Sequence, residues 1–162
     1  MKGFDISITA TFSHVIRDHM NEPPPTVSPH TTCLEAVEIL REQGASSVIV
    51  ASDNQVVGII TERDVTQRIV YKTPQATPIE RVMTSPILCI REDDYLYHGI
   101  ALMHRMELRH LPVIDSAGRL SGILHLHEAF AEAFTNLVDL IARLTHEETM
   151  EGLLQVKQAQ VE

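Results

Sequence analysis

The apolar positions of this chain run through a fixed series of rhythms, and the series occurs twice. Cys33, Ala36, Val37 and Leu40 fall at i, i+3, i+4 and i+7, with Ile39 beside them, which predicts an amphipathic helix. Thr32-Cys33-Leu34-Glu35 has the form of a capping box at its start, and Gly44 is placed to end it. Ser47 to Val50 and Val56 to Ile60 are apolar runs of strand length, with the turn residues Ser52-Asp53-Asn54 between them. Val65, Ile69 and Val70 return to helical spacing. A strand therefore ends and a helix begins within Gly58-Ile59-Ile60-Thr61-Glu62-Arg63-Asp64, and the helix runs to about Val70. Thr73-Pro74-Gln75-Ala76-Thr77-Pro78 breaks the pattern and reads as a linker.

The pattern then starts again. Met83 repeats Met20 at an offset of 63, and at that offset Cys33, Ala36, Val37 and Leu40 become Leu96, Gly99, Ile100 and Met103. Ser47-Val48-Ile49-Val50 becomes His110-Leu111-Pro112-Val113. The second turn, Asp115-Ser116-Ala117-Gly118, is longer by one residue, so Gly58 meets Gly122 at an offset of 64. This is a duplicated strand–helix–strand–strand–helix unit of about 60 residues. Each copy is small for an independent core, so the two are expected to share a buried face. Cys33 and Cys89 form no disulfide framework and read as small buried hydrophobes; Met83, Met103 and Met106 read as core filler.

The ends are less regular. Phe4, Ile6 and Ile8 alternate, which suggests a strand or extended arm. A short helix is expected from Ser13 to Met20 with Val15 and Ile16 inward, and Pro23-Pro24-Pro25 forces an extended connector. Beyond Phe130, Leu137, Leu140, Ile141 and Leu144 form one more helical stripe, continued by Met150, Leu153, Leu154 and Val161. The stripe packs on its own domain or a second copy, or it is a helical connector to a further domain.

Charge narrows the function classes. The chain has 162 residues, a net charge of -9 and a pI near 5.4, with no basic block. That argues against binding a nucleic-acid backbone or an anionic membrane. No leader pattern and no apolar run of about 18 residues is present, so a soluble, cytoplasmic protein is expected.

The strand-to-helix junction is where chemistry is concentrated. A helix start offers unpaired N–H groups and a positive dipole end, which suit an anion. Thr61 and Asp64 form an ordinary Thr-x-x-Asp capping box, and that is one reading of them. The other is a ligand site: the Asp64 carboxylate accepts hydrogen bonds from two adjacent ribose hydroxyls, and Arg63 adds positive charge.

Gly58-Ile59-Ile60-Thr61-Glu62-Arg63-Asp64 in one half and Arg109-His110-Leu111-Pro112-Val113-Ile114-Asp115 in the other resemble the motifs of a tandem CBS (cystathionine β-synthase) domain pair, the Bateman module. The resemblance covers Val15 to Ala131. It implies an α+β fold, two β-α-β-β-α units packed about a pseudo-two-fold axis with a C-terminal helical extension. The expected divisions are an arm over 1–14, units over 15–72 and 79–131, a linker over 73–78 and a helix or connector over 132–162. The resemblance also implies a non-catalytic sensor that takes an adenosine-containing nucleotide such as AMP, ADP or ATP in a cleft between the units and signals to an attached domain or partner. In the family pattern Thr61 and Asp64 hold the ribose, Arg63 meets phosphate, and Arg109 and His110 face the same cleft as a basic pair. No cofactor is required; the nucleotide is a regulatory ligand. Modules of this kind associate in pairs, so a homodimer is expected, through the faces Cys33 to Leu40, Leu96 to Met106 and the Leu137 to Leu144 stripe. The run from Arg143 to Glu162 resembles the connector to a nucleotidyltransferase-like domain.

The second copy departs from the pattern. It has His125 in place of Thr61 and Glu128 in place of Asp64, and it is faced by Ser46 and Ser47 instead of Arg109 and His110. One competent site is expected, not two. The alternating His125 and His127 beside Glu128 suggest a metal only weakly, since no further ligand lies nearby in sequence. His98 and His104 read as exposed or partly packed helix residues. No nucleophile–base set can be named, so no enzyme is expected. The competing reading is an interaction module with vestigial clefts, whose task is dimerisation.

Overall fold

Thr32 opens the first helix with both halves of a capping box: its hydroxyl accepts from Glu35 N, and the Glu35 carboxylate accepts from Thr32 N. The computed structural model describes residues 14–159, with the side chains of 143, 144 and 146–159 excepted. The alternation at Phe4, Ile6 and Ile8 and the far end of the C-terminal stripe lie outside the described residues. The elements are β1 (Thr26–Val27), α1 (Cys33–Gln43), β2 (Ser47–Ser52), β3 (Gln55–Thr61) and α2 (Glu62–Asp64), which widens into a looser turn over Val65–Ile69. The second half gives β4 (Ile90–Arg91), α3 (Leu96–Arg105), β5 (His110–Ile114), β6 (Leu120–His125) and α4 (Leu126–Ala159).

The fold is α+β, with two three-stranded sheets ordered β1-β2-β3 and β4-β5-β6. In each, the outer strand is parallel and the hairpin antiparallel. Both hairpins shift register at equivalent points, Val50/Ala51 and Val113/Ile114. Asp53 and Asn54, with φ of 50° and 62°, make the two-residue turn of the first hairpin, a conformation these residue types tolerate.

Each sheet is covered on both faces. Val48, Val50 and Ile60 meet Cys33, Ala36 and Leu40 of α1 in one core. Leu111, Val113 and Leu124 meet Leu96 and Met103 of α3 in the other. Ile49 and Ile59 pack on Ile123 across the junction between the halves. Burial of each Val, Leu, Ile or Met side chain among these is worth about 1.5–3 kcal/mol. Cys33, Ala36 and Leu40 of α1 and Leu96 and Met103 of α3 are therefore buried inside their own halves, while Leu34 and Tyr97 of the same helices stay exposed. Cys33 is fully buried and Cys89 half-buried, and burial pushes both thiols up. Met106 is 48% exposed, so it is not core filler.

The two halves exchange their leading segments. Ile16, fully buried, belongs to the core of the second half; its N–H donates to Asp94 O, and Asn21 and Ile123 exchange backbone hydrogen bonds. The helix expected over Ser13 to Met20 is a single tight turn, Ile16–Asp18, because its backbone bonds go to the other half instead. In mirror fashion Ile79 fills the first core, and Thr84 pairs with Ile59. The offset between Met20 and Met83 has a steric meaning here. A Cβ on Gly122 would sit 2.6 Å from Met20 Sδ and 2.7 Å from Asn21 O, and one on Gly58 would run into Met83 Sδ.

The C-terminal stripe does not begin a separate element at 132. It continues the helix that closes the second half, Leu126 to Ala159, without a break. Phe130, Phe134, Leu137, Val138 and Ile141 leave an exposed apolar strip along it. No helix among the described residues is long and apolar enough to cross a membrane.

Candidate functional site

The hinge between β3 and α2 is built by one small network. Asp64 Oδ2 accepts from Thr61 N at 3.0 Å and from Thr61 Oγ1 at 2.7 Å, and Asp64 N donates back to Thr61 Oγ1 at 3.4 Å. Both bonds of the capping box are formed, and Asp64 is 7% exposed. Its other oxygen, Oδ1, lies 3.4 Å from Arg68 Nη1. The same nitrogen donates to Val82 O at 3.1 Å and Thr84 Oγ1 at 3.2 Å, tying the leading segment of the second half to this carboxylate. A carboxylate has about four acceptor positions, so the capping box leaves Oδ1 able to take a further donor.

A cleft of about 370 Å³ opens beside this network. Thr61, Arg63 and Asp64 line it from the first half, Arg109 and His110 from the second. All five residues singled out in the sequence thus border one cavity. Ile59, Met106 and Leu108 give it apolar wall, Ser46 lines it as well, and Gln67, Arg68 and Thr84 give it polar groups that the sequence reading missed. Arg68 had a signal, an acid–base pair at i, i+4 with Asp64. Thr84 had none, since only the exchange of segments brings it there.

Two expectations need correction. His110 is not a cation at neutral pH. Burial is the first cause, and His125, Arg63 and Arg109 add to it, lowering its pKa to about 4 against a weaker opposite pull from Asp64. Its Nε2 lies 3.1 Å from Ser46 Oγ, and its ring meets His125 edge-on at 4.9 Å. Ser46 faces this cleft and not the second one, because that hydrogen bond draws it to His110. Ser47 is buried, and its hydroxyl has no hydrogen-bond partner among the described residues.

His125, His127 and Glu128 border a different space, a groove of about 1090 Å³ between α3 and α4 walled by residues such as Tyr97, Ile100, Phe130 and Phe134. Arg109 and His110 border this groove as well. His98 and His104 are exposed on α3. Among the described residues no group of three or more His, Cys, Asp or Glu is arranged to hold a metal ion.

The family model of the CBS domain matches residues 16–71 and again residues 79–133. The chain belongs to the CBS-domain family. Its two matches coincide with the two sheets, so the molecule is a tandem CBS pair. An uncharacterised 17.7 kDa protein of Acidianus ambivalens is 35% identical over 103 residues, 63% of this chain and 62% of that protein. The match thus spans less than two thirds of that relative's length. Among solved structures, CBSX2 of Arabidopsis thaliana in complex with AMP superposes with a TM-score of 0.63 at 26% identity, covering 75% of this chain and 97% of that one. The CBS domain pair of protein MJ0100, in complex with 5′-methylthioadenosine and S-adenosyl-L-methionine, gives a TM-score of 0.65 at 25% identity over 74% and 98% of the two chains.

Proposed function

We propose that this CBS pair is a regulatory module that binds an adenosine-containing nucleotide in the cleft between its units and passes the signal to an attached domain or partner. The observation that carries the reading is convergence. The Thr61–Asp64 network and Arg63 come from one unit, Arg109 and His110 from the other, and all line one cavity. Asp64 Oδ1 takes the ribose hydroxyls, and Arg63 and Arg109 neutralise phosphate. His110, neutral, offers a donor or acceptor and not charge. The ligands named for CBSX2 and for the MJ0100 pair, AMP, 5′-methylthioadenosine and S-adenosyl-L-methionine, share the adenosine part this arrangement would hold. A ligand touching both units couples to their relative position, and Arg68 links the same carboxylate to the start of the second unit at Val82 and Thr84. No catalytic role is assigned, and a cytoplasmic location is in keeping with the reading.

The test is titration calorimetry with AMP, ADP, ATP, S-adenosylmethionine and NADH. Binding of at least one adenosine compound at about one site per chain is expected. No heat with any of them would remove the reading. Glu128→Ala is expected to leave the strongest binding intact. A stoichiometry near two, with the tighter site lost in Glu128→Ala, would move the assignment to the second copy of the motif.

One observation favours a second, compatible role. Phe130 and Phe134 are 59% and 58% exposed and continue into Leu137, Val138 and Ile141 on the same helix. A strip of this kind marks an interaction surface, and a homodimer through α4 would cover it. If the cleft proves inert, dimerisation is the remaining function.

A further inference from the structure

Six charged side chains line the cleft: Glu62, Arg63, Asp64, Arg68, Glu107 and Arg109. Three are acids and three are arginines, so the lining as a whole is neutral. Asp64 and Arg68 face each other, and Arg68 is further committed to Val82 O and Thr84 Oγ1. Arg63 and Arg109 remain, with no side-chain partner among the described residues, to meet an anion. Glu62 and Glu107 remain as well, equally unpaired and on the same lining. His110 contributes no charge at neutral pH. The chain's net charge of -9 gives no long-range attraction for a polyanion.

Glu107 holds an unusual position. The first unit ends its helix α1 with Gly44 in the left-handed region, φ 60°. The equivalent residue 63 positions later is Glu107, also left-handed, φ 53°. A side chain is disfavoured there, yet the position holds an acidic residue, and that residue lines the cleft. The cavity, about 370 Å³, is also near the small end of the usual range for ligand sites.

We infer that Glu62 and Glu107 set the ligand class of this cleft, admitting a nucleoside or a nucleoside with a single phosphate and excluding polyphosphates. The inference rests on the nucleotide reading of the same site. One phosphate is shared by Arg63 and Arg109. Each further phosphate adds negative charge that has no free arginine to meet and lies instead against two carboxylates. Discrimination thus comes from repulsion of the longer ligand and not from extra contacts to the shorter one.

The test is calorimetry with adenosine, AMP, ADP and ATP, with EDTA present so that the triphosphate carries no Mg²⁺. The wild type is expected to bind AMP at least about tenfold more tightly than ATP, a difference that shrinks as salt is raised. Glu62→Gln removes one carboxylate. Glu107→Gly removes the other and restores the residue type that the turn favours, so this variant keeps its fold. Together they are expected to lower the AMP-to-ATP affinity ratio by about three- to tenfold. ATP binding as tightly as AMP in the wild type, or a ratio unmoved by both substitutions, overturns the inference while leaving a nucleotide site in place. Silence with all four compounds removes the nucleotide reading itself, and the inference with it.

Discussion

The hydroxyl of Ser46 and Nε2 of His110 stand 3.1 Å apart, joining the two units at the edge of the cleft. The contact fixes His110 where it is partly buried beside Arg63, Arg109 and the ring of His125, and its pKa falls to about 4 from an ordinary 6.5. In the unfolded chain the imidazole protonates near pH 6.5; in the folded protein it stays neutral until about pH 4. Between those values the unfolded state binds the extra proton, so stability from this group is full above pH 6.5 and is lost as pH falls towards 4. Discounted for partial exposure, the loss is about 1–2 kcal/mol. Urea unfolding of wild type and His110→Gln at several pH values would show it: the variant should lose less stability on acidification. Parallel curves for the two proteins would mean that His110 titrates normally.

Gly58 and Met83 predict a coupling between the halves. Met83 comes from the leading segment of the second half, and its thioether occupies the space a side chain at 58 would need. Gly58→Ala should cost about 1–3 kcal/mol through overpacking. Met83→Ala removes the obstacle, so the double variant should be more stable than the sum of the single losses implies, by about 0.5–3 kcal/mol. A strictly additive double-mutant cycle from urea midpoints would show that this contact does not hold the exchanged segment.

The apolar strip on α4 predicts association. Light scattering at micromolar concentration should give a dimer mass. Phe134 is 58% exposed, so Phe134→Glu should leave the fold intact and shift the mass to that of a monomer. A wild-type monomer, or an unchanged dimer in Phe134→Glu, would place the interface elsewhere or remove it.

The repeated fold was legible because it rests on local signals that occur twice. The capping box at Thr32 and Glu35, the spacing Cys33-Ala36-Val37-Leu40 and the turn at Asp53-Asn54 each act within a few residues. Motif resemblance grouped Thr61, Arg63, Asp64, Arg109 and His110, and the five do border one cavity. What stayed hidden depends on tertiary placement. Nothing local says that Ile16 fills the second core and Ile79 the first. Neither does anything local say that Thr84 reaches Arg68. The neutrality of His110 is set mainly by burial, with its charged neighbours adding to it, which its own sequence neighbourhood does not reveal. The apolar stripes on α1 and α3 could be read as helical, but which of their residues meet the sheets could not be read from the helices alone.

Asp64 separates the capping role from the binding role most sharply. Its Oδ2 is engaged with Thr61 N and Oγ1, while Oδ1 lies 3.4 Å from Arg68. Capping alone predicts that Asp64→Ala loses about 0.5–2 kcal/mol of stability with no selective effect on a ligand. Ribose binding predicts more. Charge-assisted hydrogen bonds are worth about 1.5–3 kcal/mol, so Asp64→Ala should weaken nucleotide binding about 10- to 100-fold. Asp64→Asn divides the two roles, because its amide oxygen can still accept from Thr61 while the position of Oδ1 becomes an N–H donor. The cap should survive in that variant and the affinity should not. A nucleotide at about 100 times its dissociation constant should stabilise the wild type by about 2.7 kcal/mol, which a melting curve resolves. Wild type should therefore show a clear nucleotide-induced rise in Tm, Asp64→Ala and Asp64→Asn a much smaller one, and a 2′-deoxy nucleotide little in any of them. Equal shifts in all three proteins, or a 2′-deoxy compound as effective as the ribose form, would leave Asp64 as a helix cap and nothing more.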